Sequence, residues 1–190
     1  MIYVFLADGF EESEALVTVD VLRRANYEVK TVGVTGEFVT GSHGITVKSD
    51  VSEQDITPNE ALEAVVLPGG IPGTPNLESS AVVKEFIKYA AENKRILAAI
   101  CAAPSILGKM GLLQNRLATC YPGFEEHLMG AIVDEAPVCI SDNFITANGA
   151  GNVFPFALAL ADMVAWFNGK SQFGDFSLSQ GLEESMQCVR

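Results

Sequence analysis

Short apolar runs alternate with amphipathic helices along this 190-residue chain, and that alternation limits its fold more than any other feature. Ile2–Leu6, Val29–Val34, Ala64–Leu67 and Arg95–Ile100 read as buried strands, Leu117–Cys120 as a shorter one. Between them lie helical patterns. From Glu11 to about Ala25, Ala15, Val19 and Leu22 share one face, with Asp20, Arg23 and Arg24 off it. A helix capped by Ser79 or Ser80 turns Val82, Phe86, Ile87 and Ala90 inward. Another runs from Ala102 to about Met110 and stops at Gly111. Val153–Phe167 is apolar nearly all round, which marks a buried helix. Phe38–Ser49 and Val138–Ala147 read as hairpins, the second turning at Asp142-Asn143. Strands alternating with helices predict an α/β fold, a mostly parallel sheet with helices on both faces.

The length suits one domain, residues 1–190, with 171–190 as a polar C-terminal tail. Hydrophobic residues make up 48% of the chain, enough to drive folding. The net charge of −12 disfavours nucleic acid and anionic membranes as partners. Met1–Asp8 reads as a first core strand rather than a signal peptide, and no apolar run approaches the roughly 18–20 residues of a membrane span. Cys101, Cys120, Cys139 and Cys188 form no CxxC pair, and with only His43 and His127 no metal site is expected. Reduced thiols in a cytoplasmic protein are the natural reading. Cys120 and Cys139 read as core thiols within strands, Cys188 as incidental in the tail.

In a parallel sheet ligands bind beyond the carboxyl ends of the strands. Those ends lead here into Asp8-Gly9-Phe10-Glu11-Glu12, Pro68-Gly69-Gly70, Cys101-Ala102-Ala103, Tyr121-Pro122 and Asn148-Gly149-Ala150-Gly151-Asn152. The segment Leu97–Pro104 resembles a nucleophile elbow, with Cys101 at the strand–helix junction and small Ala99 and Ala103 two places to either side. A helix start favours a thiolate, so Cys101 is expected to titrate below the unperturbed value of about 8.5. Backbone N–H groups of Ala102 and of Gly69 or Gly70 are candidates to hold an oxyanion. Glu11, Glu12 and Glu14 follow the first strand, and acidic residues at a helix start are ordinary. One of them turned back toward Cys101 would form a coupled pair with it.

Four segments resemble the ThiJ/PfpI superfamily, in the branch of the human parkinsonism-associated protein deglycase and its bacterial relatives. They are Gly9–Glu14 running to Val19–Arg24, Val65–Gly70, Ala98–Pro104, and Asn148–Gly151 ahead of Phe156–Ala159. The resemblance implies a flavodoxin-like three-layer sandwich and a homodimer. It implies Cys101 as the reactive residue, Glu14 as its protonated partner, and Gly70 and Ala102 as oxyanion donors. It implies cofactor-free glyoxalase or deglycase chemistry on a small aldehyde or glycated adduct. The alternative is a peroxide-responsive redox sensor or chaperone. Ala102, where the family's peptidases carry a histidine, argues against proteolysis. Tyr121 stands where the human branch has a histidine, and His43 falls near an arginine that reaches the site from the partner subunit. Tyr121, His43 and Asn148 are therefore candidate site-lining residues.

Overall fold

The computed structural model describes residues 1–170, so the tail and Cys188 lie outside the described residues. Its centre is a seven-stranded sheet. In chain order the first half of the protein supplies β1 (Ile2–Leu6), α1 (Glu12–Arg24), β2 (Val29–Gly33), β3 (Phe38–Thr40), β4 (Thr46–Lys48), β5 (Val51–Ser52), β6 (Ala64–Leu67), α2 (Gly73–Ser79) and α3 (Ala81–Glu92). The second supplies β7 (Ile96–Ile100), α4 (Pro104–Lys109), β8 (Leu117–Ala118), β9 (Ile132–Val133), β10 (Val138–Ser141), β11 (Phe144–Ala147) and α5 (Val153–Phe167). The sheet order is β10-β11-β7-β6-β1-β2-β5, parallel throughout except for the β10–β11 hairpin.

Strand alternation sorts the side chains into two cores. Ile2, Val4 and Leu6 of β1, with Ile96, Ala98 and Ile100 of β7, face α1 and α5. Phe5, Leu97 and Ala99 face the other way, onto Phe86 and Ile87 of α3 and Ile106 of α4. Phe86 meets the rings of Phe5 and Tyr3 edge-on at 5.2 and 5.3 Å. With helices on both faces, strands β1, β6 and β7 are buried from end to end apart from Tyr3, which is why they read as near-continuous apolar runs.

Several expectations need correction. The segment 150–167 is long and apolar enough to span a membrane. It is instead the core helix of the sandwich, packed on α1, β7 and β11. Helix α2, with Gly73 and Pro75 in seven residues, carries no amphipathic period, and the sequence hides it. Ser80 does cap α3, accepting from Val83 N–H at 3.1 Å. Helix α4 begins at Pro104 rather than Ala102. Strand β8 has two residues, pairs only with β9, and stays outside the main sheet. Cys120 therefore lies beyond a strand, although it is buried, as is Cys139 of β10.

The β3–β4 hairpin is anchored to the sandwich by Glu12. This buried carboxylate accepts hydrogen bonds from the backbone N–H of His43 at 2.8 Å and of Ile45 at 3.3 Å, and meets His43 Nδ1 at 3.0 Å. Burial alone raises its pKa, but these bonds outweigh it and hold the group at about 2. Glu12→Gln keeps the shape and loses the charge. It is expected to cost about 1–3 kcal/mol at neutral pH, as charge-assisted bonds to backbone do. A depressed acid stabilises above its ordinary value of 4.5 and loses that contribution as pH falls through about 2. Denaturant unfolding of both proteins across this window checks the prediction. A difference between them that stays constant down to pH 2 contradicts it.

Candidate active site

Strands β1, β6 and β7 end side by side, and backbone hydrogen bonds fix the turns that follow. Glu11 N–H donates to Gly69 O at 2.9 Å, and Cys101 N–H donates to Ala147 O at 2.8 Å. Tyr121 N–H donates to Cys101 O at 2.8 Å. Cys101 is thus pinned by its own backbone on both sides, in a left-handed conformation with φ 63°. Such a conformation costs a non-glycine residue about 1–3 kcal/mol and persists only where the surroundings enforce it. It turns the half-buried thiol off the end of β7, as the junction pattern predicts. Ala99 and Ala103 are fully buried around it, leaving no space for larger side chains.

Glu14 reaches the sulfur from α1. It is 1% exposed, and its Oε2 accepts from Gly69 N–H at 2.8 Å. The carboxyl is also hydrogen-bonded with the Cys101 thiol. Gly69 is the spacer between them: a Cβ there would stand 2.6 Å from Cys101 Cβ and 2.8 Å from Glu14 Oε2. Only glycine lets carboxyl and thiol meet. Gly70 follows with φ +96°, and its N–H and that of Ala102 point at the sulfur.

Desolvation dominates the electrostatics. It lifts Glu14 to about 7, against the opposing bonds from Gly69 and Cys101. Burial first, and then the Glu14 charge, push the Cys101 thiol up to about 12, while Ala102 and Gly70 N–H pull it down. The expectation of a thiol held below 8.5 by a helix start is not met. Helix α4 begins three residues further on, and the sulfur's nearest charge is negative. Two anions this close are unfavourable, so between about 7 and 12 the pair holds one proton and titrates as a unit. With that proton on Glu14 the repulsion disappears, and both backbone donors face a thiolate. Glu14 Oε1 is buried without a hydrogen-bond partner among the described residues.

The other sequence candidates separate. The N–H groups of Gly70 and Ala102 face the Cys101 sulfur, whereas the Gly69 N–H is committed to Glu14. Tyr121 is 50% exposed and its ring lies against Gly149. Asn148 accepts from Asn152 Nδ2 at 2.7 Å and lines a cleft of about 400 Å³ with Cys120 and Pro122. His43 lies between strands β3 and β4. It sits on the exposed hairpin turn with Glu12, and its pKa is raised by the bond to that carboxylate. Ligand atoms of Glu11, Glu12 and His43 lie within 4.8 Å of one another, but Glu12 already accepts from the turn backbone. Sequence reasoning missed the carbonyl of Ala147, which fixes the Cys101 backbone, and no side-chain pattern announces a carbonyl.

The chain also matches known proteins. Residues 1–163 match the model of the DJ-1/PfpI family. The chain is 37% identical to the Parkinson disease protein 7 homolog of Danio rerio, covering 84% of this chain and 86% of that protein. It is 31% identical to a deglycase of Pyrococcus abyssi, over 80% of this chain and 92% of the other. It is 32% identical to a glutathione-independent glyoxalase of Caenorhabditis elegans, over 80% and 81%. Among solved structures, a DJ-1 superfamily protein of Salmonella typhimurium superposes with a TM-score of 0.87 at 31% identity, covering 100% of this chain and 98% of the other. The strand order, the strained cysteine and these matches together identify the chain as a member of the DJ-1/PfpI family.

Proposed function

We propose that this protein is a cofactor-free enzyme acting on α-oxoaldehydes or their early glycation adducts, with Cys101 as nucleophile and Glu14 as acid and base. The observation that carries the reading is a buried Glu14 carboxyl set against the half-buried Cys101 thiol across Gly69, where a Cβ would stand 2.6 Å from Cys101 Cβ and 2.8 Å from Glu14 Oε2. Relatives named as a deglycase and as a glyoxalase support it.

With methylglyoxal the steps balance as follows. The Cys101 thiolate attacks the aldehyde carbon, forming a C–S bond while the carbonyl π electrons move to oxygen. Gly70 and Ala102 N–H stabilise that oxygen until Glu14 protonates it, giving a hemithioacetal. The Glu14 carboxylate then removes the proton from the same carbon and returns it to the neighbouring one, while the hydroxyl proton of the hemithioacetal passes to the neighbouring carbonyl oxygen. This internal shift oxidises one carbon and reduces the other, leaving a lactoyl thioester on Cys101. Water cleaves the thioester, and lactate and the thiol are released.

Lactate formation from methylglyoxal tests this reading. Cys101→Ser is expected to abolish turnover, and undiminished lactate in that variant rules the reading out. Glu14→Gln keeps the size and removes the base, so kcat/KM is expected to fall about 10²–10⁴-fold, the usual contribution of acid–base catalysis. The pH profile separates catalysis from mere packing. Wild-type kcat/KM is expected to rise through about 7 as the pair drops to one proton, then level off. In Glu14→Gln that inflection disappears.

A second reading rests on the same N–H groups. Peroxide would take the thiolate to a sulfenate and then a sulfinate, releasing one water at each step. Gly70, Ala102 and a protonated Glu14 suit the resulting anion. Cys120 and Cys139 are buried, whereas Cys101 is half-buried, so among these three Cys101 is the thiol that peroxide reaches. Intact mass after mild peroxide is expected to show a gain of two oxygens, located on Cys101 and lost in Glu14→Gln. Oxidation spread over every thiol counts against it.

A further inference from the structure

The cleft of about 400 Å³ that Asn148 lines carries a single sign of charge. Two backbone bonds place it beside Cys101. Ala147 O accepts from Cys101 N–H, and Asn148 is the next residue. Tyr121 N–H donates to Cys101 O, and both chain neighbours of Tyr121, Cys120 and Pro122, line the cleft. One chain step spans about 3.8 Å, so these walls begin within about 10 Å of the Cys101 backbone. Glu125, Asp134 and Glu135 stand around the cleft, and no Lys, Arg or His lines it. Two of these carboxylates are fixed by the backbone. Glu125 Oε2 accepts from Gly123 N–H and Asp134 Oδ1 from Ala136 N–H, both at 2.8 Å, which leaves each a second oxygen. None of the three is ion-paired among the described residues, whereas the adjacent Glu126 pairs with His127.

A second feature points to a ligand. Thr119 lines the cleft and is only 3% exposed, yet its hydroxyl has no hydrogen-bond partner among the described residues. A polar group so far from bulk water is ordinarily satisfied. A cleft lined by one sign of charge also concentrates ions of the opposite sign. An ammonium or guanidinium group answers both conditions, because it neutralises the carboxylates and has protons to donate to Thr119. On the chemistry assigned to Cys101 above, we propose that this cleft is a subsite for a cationic group of the substrate. The enzyme then prefers α-oxoaldehydes and adducts whose carrier bears a positive charge several bonds from the reacting carbonyl. Glu125, Asp134 and Glu135 set this specificity and take no part in the proton transfers. The same three carboxylates repel an anionic carrier.

Three synthetic α-oxoaldehydes test this, each joined through a butylene chain to a trimethylammonium, a tert-butyl or a carboxylate group. The first two are isosteric and differ in charge, and trimethylammonium, unlike an ammonium, does not condense with the aldehyde. Formation of the 2-hydroxy acid gives kcat/KM for each. The wild type is expected to favour the cation over its neutral isostere about tenfold, or about 1.4 kcal/mol, and to disfavour the anion. The preference is expected to shrink in about 1 M salt, where screening acts within about 3 Å. In Glu125→Gln/Asp134→Asn/Glu135→Gln the ratio is expected to fall to about one, with far-UV circular dichroism establishing that the variant is folded. Glu135→Gln alone, at an exposed position, is expected to lower the ratio about twofold and serves where the triple variant does not fold. Equal kcat/KM for the cation and its neutral isostere in the wild type overturns the proposal and leaves the chemistry at Cys101 standing. So does a preference that survives removal of the charges. No hydroxy acid from any of the three compounds overturns the chemistry at Cys101, and the specificity falls with it.

Discussion

The parallel pairing of β1, β6 and β7 is the constraint on which the rest of the structure depends. Ile2 stands opposite Ala64, and Ala64 opposite Ile96, so the three strands run in step and finish together. Burial on both faces holds this register, because a slip of one residue would exchange the two cores. Three consequences meet where the strands stop. The turn after β1 starts the helix that bears Glu14, the turn after β6 supplies Gly69 and Gly70, and the turn after β7 is Cys101 itself. The first two turns bond to each other through Glu11 N–H and Gly69 O, and the third is held by Ala147 O and Tyr121 N–H, so the site is a property of the sheet edge.

That edge concentrates features that are each locally unfavourable. Cys101 is held at φ 63°, Glu14 is a carboxyl without solvent, and one of its oxygens has no partner among the described residues. Core packing around Ala99, Ala103, Phe10 and Ala15 leaves no room for these groups to relax. The chain's net charge of −12 is a secondary influence, since exposed charges beyond about 10 Å are largely screened at ordinary ionic strength. Glu14 and Cys101 are both buried and in contact. Their shared proton is set by each other and by three backbone N–H groups.

Much of this was legible in the residues. The strand and helix periods located the main sheet and the two faces, and the apolar run into Cys101 with small flanking alanines located the elbow. Elements without a period, such as α2 and β8, were not legible. Among the glutamates the choice came from family resemblance, yet the structure shows a signal that was available. An α-helix turns about 100° per residue, so Glu12 and Glu14 point to nearly opposite sides. Glu14 shares its face with Thr18 and Val21, both fully buried, and Thr18 Oγ1 donates to Glu14 O at 2.7 Å. A carboxyl on the core face of a helix at a strand end cannot be a solvated dipole partner. Glu12, two residues earlier, turns to the hairpin, and nothing local in the sequence announces that Ser42–Ile45 will close over it. The thiol's raised pKa was missed for a related reason. A helix start by itself favours a thiolate, but the carboxyl arriving from α1 and burial both oppose it.

The absence of a histidine at Tyr121 narrows the chemistry this pair can perform. A hydrolytic triad separates its tasks, with one group taking the nucleophile's proton and another orienting it. Here one carboxyl is hydrogen-bonded to the sulfur, and the tyrosine is half exposed against Gly149. A single group near pKa 7 is poorly suited to activating a thiol for amide cleavage, where a poor leaving group also needs a proton. It is well suited to a reaction in which one proton leaves a carbon and returns to its neighbour, because the donor and acceptor sites are then adjacent and the same carboxyl serves both. Under the proposed chemistry the nucleophile is regenerated by thioester hydrolysis, which returns the pair to its one-proton state. The pairing of Cys101 with one buried carboxyl thus favours rearrangement of an activated aldehyde over cleavage of an amide.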